Sequence, residues 1–412
     1  MNRGLKLSRN MLFFRKHFIS SIRIFFYFPF LFLFACAGVP ENSSGSEKPP
    51  ESQTSIVDKI ETQIEKLFGK EEDPEVVKIL LGGDVMFNWG IRDTIKSKGE
   101  LAPVKGLKSV FETADLRVLN LETPVVSEKS WDHGKAYVFQ AKESDLETMS
   151  FLGVDLVSLG NNHAMDHGPE GLEETFKFLG NRKIASIGAG KNLEFAFRPW
   201  IWEGKDTNLR IYSATNVAEG RSHYAGQTPG VMPLDPELIL KKIQIEKFQL
   251  NSSKTSKRDK KSKLVSPGKQ FRILSIHWGV EYSPFPTIEQ RKIAKTLADG
   301  GLDIIVGHHP HIPQGIEKIG NTIIFYSLGN LIFGSRNAYL NHNLIVILHI
   351  KKNKLINIEL VPIFGKFQNE DHLVRPLEGK EAENFLKEIA VLSQDLGTKI
   401  RIDGDRAWVE LD

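Results

Sequence analysis

The sequence predicts an α/β protein, and three observations carry that expectation. Short apolar stretches recur along the chain, each followed by a polar cluster and then by a segment of helical periodicity. The polar clusters fall where strands would end, which is where α/β sheets keep their chemistry. The clearest case is 304–311, Ile-Ile-Val-Gly-His-His-Pro-His, where a β-branched run stops at a glycine and three imidazoles follow within four residues. Pro310 stiffens the backbone between His309 and His311. Taken alone, this stretch reads equally as a His-rich surface turn, so the choice depends on whether other strand ends supply matching donors.

The chain has 412 residues, of which 41% are hydrophobic, and a formal charge of +3. That suffices for one large domain or two ordinary ones with a sizeable core. No face is identifiably basic, so nucleic acid is not an expected partner. The single cysteine excludes an internal disulfide framework and a cysteine-based zinc cluster. At the N-terminus Arg3, Lys6, Arg9, Arg15, Lys16 and Arg23 form a basic region, and residues 24–35 form an apolar run interrupted by Pro29. The run is short for a membrane-spanning helix and fits a signal-peptide core. It leads into Leu33-Phe34-Ala35-Cys36, which resembles a bacterial lipoprotein box with the only cysteine at the lipidated position. Residues 1–35 are expected to be a signal peptide and Cys36 the lipidation site; the alternative is an uncleaved short anchor with an incidental cysteine. A lipid anchor places the protein in the cell envelope, attached to a membrane on the extracytoplasmic side. Residues 36–74 read as a tether, rich in Pro, Ser, Glu and Gly, with a short amphipathic stalk helix expected at 56–68.

The folded domain is expected over 75–334. Strands are expected at 76–82, 116–121, 155–159, 184–187, 210–214, 271–276, 302–306 and 322–326. Helices are expected at 107–114, 144–152, 169–179, 237–248 and 287–298, with Pro169 in its helix's first turn. The Lys-rich stretch at about 251–269 reads as a solvated insertion, the alternative being a patch for a polyanion or anionic lipid headgroups. Residues 335–412 are expected to complete or extend the domain. They hold an antiparallel pair, 343–350 and 354–361, a helix at 381–392, and a hairpin, 399–402 with 406–410, around Asp403-Gly404. The sequence shows no internal repeat.

Five strand ends carry donor side chains: Asp84, Glu122, Asn162 with His163, His277, and His308, His309 and His311. Carboxylate, amide oxygen and imidazole without soft sulfur suit zinc, manganese or iron. A carboxylate can bridge two cations, and such a pair clamps the oxygens of a phosphoryl or related transfer. Asp166, three residues after His163, is placed to orient that imidazole for general acid chemistry. Each residue singly has a structural alternative, such as a helix cap for the aspartate or a turn for the asparagine.

Taken in order, these motifs carry a family resemblance. Gly83-Asp84, Asn120-Leu121-Glu122, Asn161-Asn162-His163-x-x-Asp166-x-Gly168, His277-Trp278-Gly279-x-Glu281-Tyr282, Gly307-His308-His309-Pro310-His311 and Tyr326-Ser327-Leu328-Gly329-Asn330 resemble the motif series of the CapA family. That family is associated with capsule poly-γ-glutamate synthesis and export, and the match runs from about 76 to 333. It is itself similar to calcineurin-like metallophosphatases. The resemblance therefore implies a four-layer α/β/β/α sandwich, to which the residues beyond it add a small α+β C-terminal extension.

Residue by residue, the resemblance implies that Asp84 is the first-strand metal ligand, Glu122 the bridging carboxylate and Asn162 the amide ligand. His277 corresponds to the single-histidine ligand, His309 and His311 to the closing pair, and His163 to the acid; His308 has no counterpart. One position departs from the pattern: Met86 stands where an Asp-x-His histidine is usual. That leaves open a one-metal site, an altered two-metal site or a site kept for binding, with Mn, Zn or Fe as the divalent ion. The implied function is that of a CapA-like envelope lipoprotein in biosynthesis or export of a capsule polymer such as poly-γ-glutamate. It would handle an anionic polymer or phosphoester beside membrane-bound synthase and export proteins. The alternatives are a metal-dependent hydrolase of a phosphoester or amide-linked polymer without a capsule role, and a non-catalytic polymer-binding scaffold.

Overall fold

Apolar residues run almost continuously along the central strands, so each strand has apolar residues on both faces. Such strands need cover on both sides, and the computed structural model supplies it. It describes residues 73–412 apart from 129–134, 219, 253–268, 336–340 and 366–370. The signal peptide, Cys36, the stalk helix and nearly all of the Lys-rich stretch lie outside the described residues.

In chain order the strands are β1 Val77–Val85, β2 Leu116–Leu121, β3 Leu156–Ser158, β4 Ala185–Ile187, β5 Ala189–Gly190, β6 Trp200–Gly204, β7 Thr207–Thr215, β8 Gly230–Val231 and β9 Phe271–His277. They continue with β10 Ile304–His308, β11 Ile316–Ile319, β12 Thr322–Phe325, β13 Asn330–Ile332, β14 His342–Lys351, β15 Lys354–Phe364, β16 Arg375–Pro376, β17 Ile400–Asp403 and β18 Arg406–Val409. The α-helices are α1 Gly90–Lys98, α2 Lys108–Phe111, α3 Leu146–Leu152, α4 Gly168–Asn181, α5 Leu193–Ala196, α6 Pro236–Ser252, α7 Ile288–Asp299 and α8 Gly379–Gln394.

The larger sheet runs β17-β18-β15-β14-β1-β2-β3-β4, with β13 also paired to β1 and β16 to β15. The second runs β11-β12-β10-β9-β7-β6. Strands β1 to β4 are mutually parallel, as are β7, β9, β10 and β12, so each sheet has one edge where its parallel strands end. Ile79, Leu81, Val118 and Leu156 of the larger sheet join Ile211, Ile273, Ile304, Val306 and Phe325 of the second in one buried cluster between the sheets. The intervening residues face outward. Leu80, Leu119 and Val157 pack against Phe111, Met149 and Leu172 of α2, α3 and α4. Tyr212, Leu274, Ile305 and Ile324 pack against Ile239 and Ile243 of α6 and Ala294 and Leu297 of α7. The layers are therefore helix, sheet, sheet, helix, the four-layer sandwich expected. Residues 342–351 pair with β1, so the C-terminal strands complete the larger sheet. Among the described residues no helix is long and apolar enough to cross a membrane.

Two local differences from the sequence expectation matter for the site. The first strand does not stop at Gly82. It continues to Val85 after a register shift between Leu81 and Asp84, so Asp84 belongs to the strand's last residues. Gly83 makes this possible, because a Cβ there would lie 2.0 Å from the Gly329 carbonyl oxygen. The helix expected at 107–114 is a 3-10 turn over Ala102–Leu107 running into the short α2.

Candidate metal centre

The parallel-strand ends of the two sheets meet, and the donor residues meet there. Asp84 is fully buried. Its Oδ1 accepts from Asn120 Nδ2 at 2.8 Å and lies 3.1 Å from His308 Nδ1. Its Oδ2 accepts from the His309 backbone N–H at 3.3 Å and lies 3.2 Å from His311 Nδ1. One carboxylate from the larger sheet thus holds the whole 308–311 turn of the second.

Glu122 follows β2 and is also fully buried. Its Oε1 lies 3.5 Å from His277 Nε2 and 3.9 Å from His311 Nε2. Neither Glu122 oxygen has a hydrogen-bond partner, nor has Asn162 Oδ1, His277 Nε2 or His309 Nδ1. Leaving buried polar atoms unpaired costs on the order of 1–3 kcal/mol each, so the four together on Glu122, His277 and His309 mark a missing partner. Their chemistry is that of a hard-to-borderline cation site. Two groups have donor atoms within 4.8 Å of one another, Glu122-His277-His309 and Asp84-Glu122-His311, and Glu122 is common to both. These residues can hold a metal ion.

Burial pushes the Glu122 carboxyl well above the ordinary range, helped by the charges of Asp84, Glu281 and Asp166. Asp84 goes the other way: burial opposes its ionisation, but His308 and His311 outweigh it and hold the carboxyl well below the usual range. Burial lowers His277 far below its ordinary value, reinforced by His309, and lowers His309 to about 4. Neutral imidazoles beside carboxylates are the protonation state a cation requires.

The turn geometry is demanding. His309 and His311 have φ of 96° and 60°, a left-handed backbone that few side chains other than glycine adopt. His311 is held by Asn330 Oδ1 at 3.0 Å and packs on Phe333, with ring centroids 4.5 Å apart. His309 tilts toward His277 at 4.9 Å. Met86 is fully buried. It packs with Phe139 and Phe333, and its sulfur accepts the Asn88 N–H at 2.8 Å.

His163 forms the adjoining part. Its Nδ1 lies 2.7 Å from Asp166 Oδ2, and its ring stacks on Phe139 with centroids 4.0 Å apart. Asp166 is fully buried, yet its bonds from His163 and Lys135 outweigh the cost of burial and hold its carboxyl below the usual range. Burial lowers the His163 pKa, so near neutral pH the ring is neutral, donates Nδ1–H to Asp166 and leaves Nε2 as a proton acceptor. Lys135 Nζ also bonds the Asn162 carbonyl at 2.8 Å and Asp166 Oδ1 at 2.7 Å.

Every residue picked out from the sequence for this centre is therefore at one place, including His308. Asn120, Asn161, Asn330 and Lys135 complete it. The three asparagines stood within the motifs without an assigned role. Lys135 belongs to no motif and has no spacing that would single it out.

Comparison with known proteins agrees with the motif series. The family model described as "Bacterial capsule synthesis protein PGA_cap" matches residues 78–335. A protein of Bacillus subtilis named PGA biosynthesis protein CapA is 28% identical over 304 residues, spanning 72% of this chain and 75% of its own length. The capsule biosynthesis protein CapA of Bacillus anthracis is 26% identical, spanning 71% and 69%. A solved phosphatase structure from Mycoplasma pneumoniae overlaps 70% of this chain and 94% of its own, at 15% identity and a TM-score of 0.40.

Proposed function

This chain belongs to the PGA_cap family of bacterial capsule synthesis proteins, and on that premise we propose that it is a lipid-anchored envelope protein acting in synthesis or export of a poly-γ-glutamate-like capsule polymer through a divalent metal centre. The observation that carries the metal reading is the fully buried Glu122, whose two oxygens lack partners while it belongs to both ligand groups. Asp84, Glu122 and His311 would hold one ion, and Glu122, His277 and His309, with the Asn162 oxygen, a second. The ion is Mn, Zn or Fe. Bound there, it supplies Lewis-acid polarisation of a carboxylate, phosphoryl or acyl oxygen. The protein's own contributions are separate. Asp166 and Lys135 orient His163, whose Nε2 is the atom able to take up and hand on a proton. The surrounding apolar residues Phe139 and Phe333 keep water from the centre. The anionic polymer, membrane-bound synthase or export proteins, and the Cys36 lipid anchor are parts of the same proposal.

A second reading, a metal-dependent hydrolase of phosphoesters or amide-linked polymers without a capsule role, is favoured by the shared carboxylate between two ligand groups.

The test uses a deletion strain carrying either the wild-type gene or Glu122→Gln. Wild-type protein should purify with transition metal, and the variant with at least about tenfold less. Surface polymer should disappear on deletion and return only with the wild type. Metal-free wild-type protein overturns the metal centre. Unchanged polymer in the deletion strain overturns the capsule role and leaves the hydrolase reading.

A further inference from the structure

The end of the second sheet away from the metal centre carries an unexplained pair of charges. Arg210 of β7 and Arg272 of β9 are register partners, so their side chains leave neighbouring strands side by side. Tyr212 and Leu274, two residues further along, share that face and pack under Ile239 and Ile243 of α6. Arg210 is 4% exposed and Arg272 6%. The Arg210 guanidinium makes no hydrogen bond or ion pair among the described residues, and its Nε is buried without a partner. Arg272 also has an unpaired Nε, and its guanidinium bonds only the Gln270 side chain.

Two acids lie near this place, Glu246 and Asp303, without bonding either guanidinium. Glu246 of α6 accepts the Tyr212 hydroxyl at 2.6 Å, and Asp303 accepts the Arg272 backbone N–H at 2.8 Å. Lys247 adds another cation nearby, its pKa lowered by burial and by the charge of Arg272. Two adjacent guanidinium groups shielded from water, neither of them bonded to a carboxylate, are costly to bury unless something pairs with them. A small oxyanion does this best, because a guanidinium fork matches phosphate or carboxylate oxygens two at a time.

We propose that Arg210 and Arg272, beneath α6, form a binding site for a small oxyanion, a phosphate or a carboxylate group, distinct from the metal centre.

The test uses the full-length protein, stripped of metal with chelator so that the other site cannot hold the anion. Thermal unfolding is followed in rising inorganic phosphate against chloride of equal ionic strength, with glutarate as the dicarboxylate arm. Phosphate or glutarate, or both, should raise the wild-type melting temperature saturably, and whichever acts identifies the group. Arg210→Met should lose most of that response while melting in chloride no lower than the wild type, since it removes an unpaired buried charge. Arg210→Lys keeps the charge without the fork and should respond more weakly than wild type. If Arg210→Met does not fold, calorimetric titration of the wild type with each anion, compared with Arg210→Lys, decides: saturable binding in the wild type that Arg210→Lys weakens is expected. Absence of a wild-type response to either anion, or an equal response in the Arg210 variants, overturns the site.

Discussion

At the scale of single residues, the site combines groups whose protonation is driven in opposite directions. His309 has a folded pKa of about 4 against an ordinary value of about 6.5. A depressed histidine contributes stability that is present above the unfolded pKa and lost as pH falls through the folded one. In metal-free protein, His309 should therefore cost on the order of 3 kcal/mol between pH about 6.5 and about 4. Glu122, with its raised pKa, acts in the reverse sense and loses stability as pH rises. Comparing wild type with His309→Ala isolates the first contribution, and denaturant melts across that pH range should show a flatter acid slope in the variant. Sequence reading found Asp84, Glu122, His163 and the histidine turn because each is a donor beside a strand end. It left Lys135 unseen, since a lysine in a polar loop has no pattern marking it as one that will be buried against Asp166.

At the scale of elements, the site depends on how closely strand ends approach. A Cβ on Gly307 would lie 2.0 Å from the Tyr326 carbonyl oxygen and 2.6 Å from Trp278 Nε1, which itself donates to that carbonyl at 3.0 Å. Gly307→Ala should therefore cost about 1–3 kcal/mol or more in urea unfolding, and should lower metal retention by displacing the turn that starts at His308. The long central strands were legible from their apolar runs: β2 has the expected bounds, and β9, β12 and β14 differ by one residue at an end or both. The β6-β7 hairpin was not read as such, because Lys205 and Asp206 form its left-handed turn (φ 48° and 54°) where glycine or asparagine is the usual mark. Strand β13, three residues long, is too short to show a period. Its pairing with β1 at Asp84 is nevertheless what brings Asn330 to His311.

For the whole molecule, the two sheets are joined at the centre by groups that a metal would cross-link. Chelation should lower the melting temperature by roughly 3–5 °C per ion if each is held at about a hundred times its dissociation constant, and re-addition should restore it. In cells, Cys36→Ser should move the protein from the membrane fraction to the soluble fraction; a variant that stays with the membrane argues for the uncleaved anchor. Neither the layer order nor the meeting of the two sheet edges follows from local pattern alone. Both were expected only through the family resemblance, since sheet stacking is decided by contacts far apart in sequence.

The pairing of β1 with β14 has a consequence for how the protein comes into being. Val77 lies against Ile350, so the centre of the larger sheet is closed by residues separated by about 270 positions. During synthesis, β1 can pair early with β2 on one side but must wait for nearly all of the chain before β14 exists on the other. On the proposed export of this chain, such a delay would favour passage through a translocase, because the domain would not set before crossing.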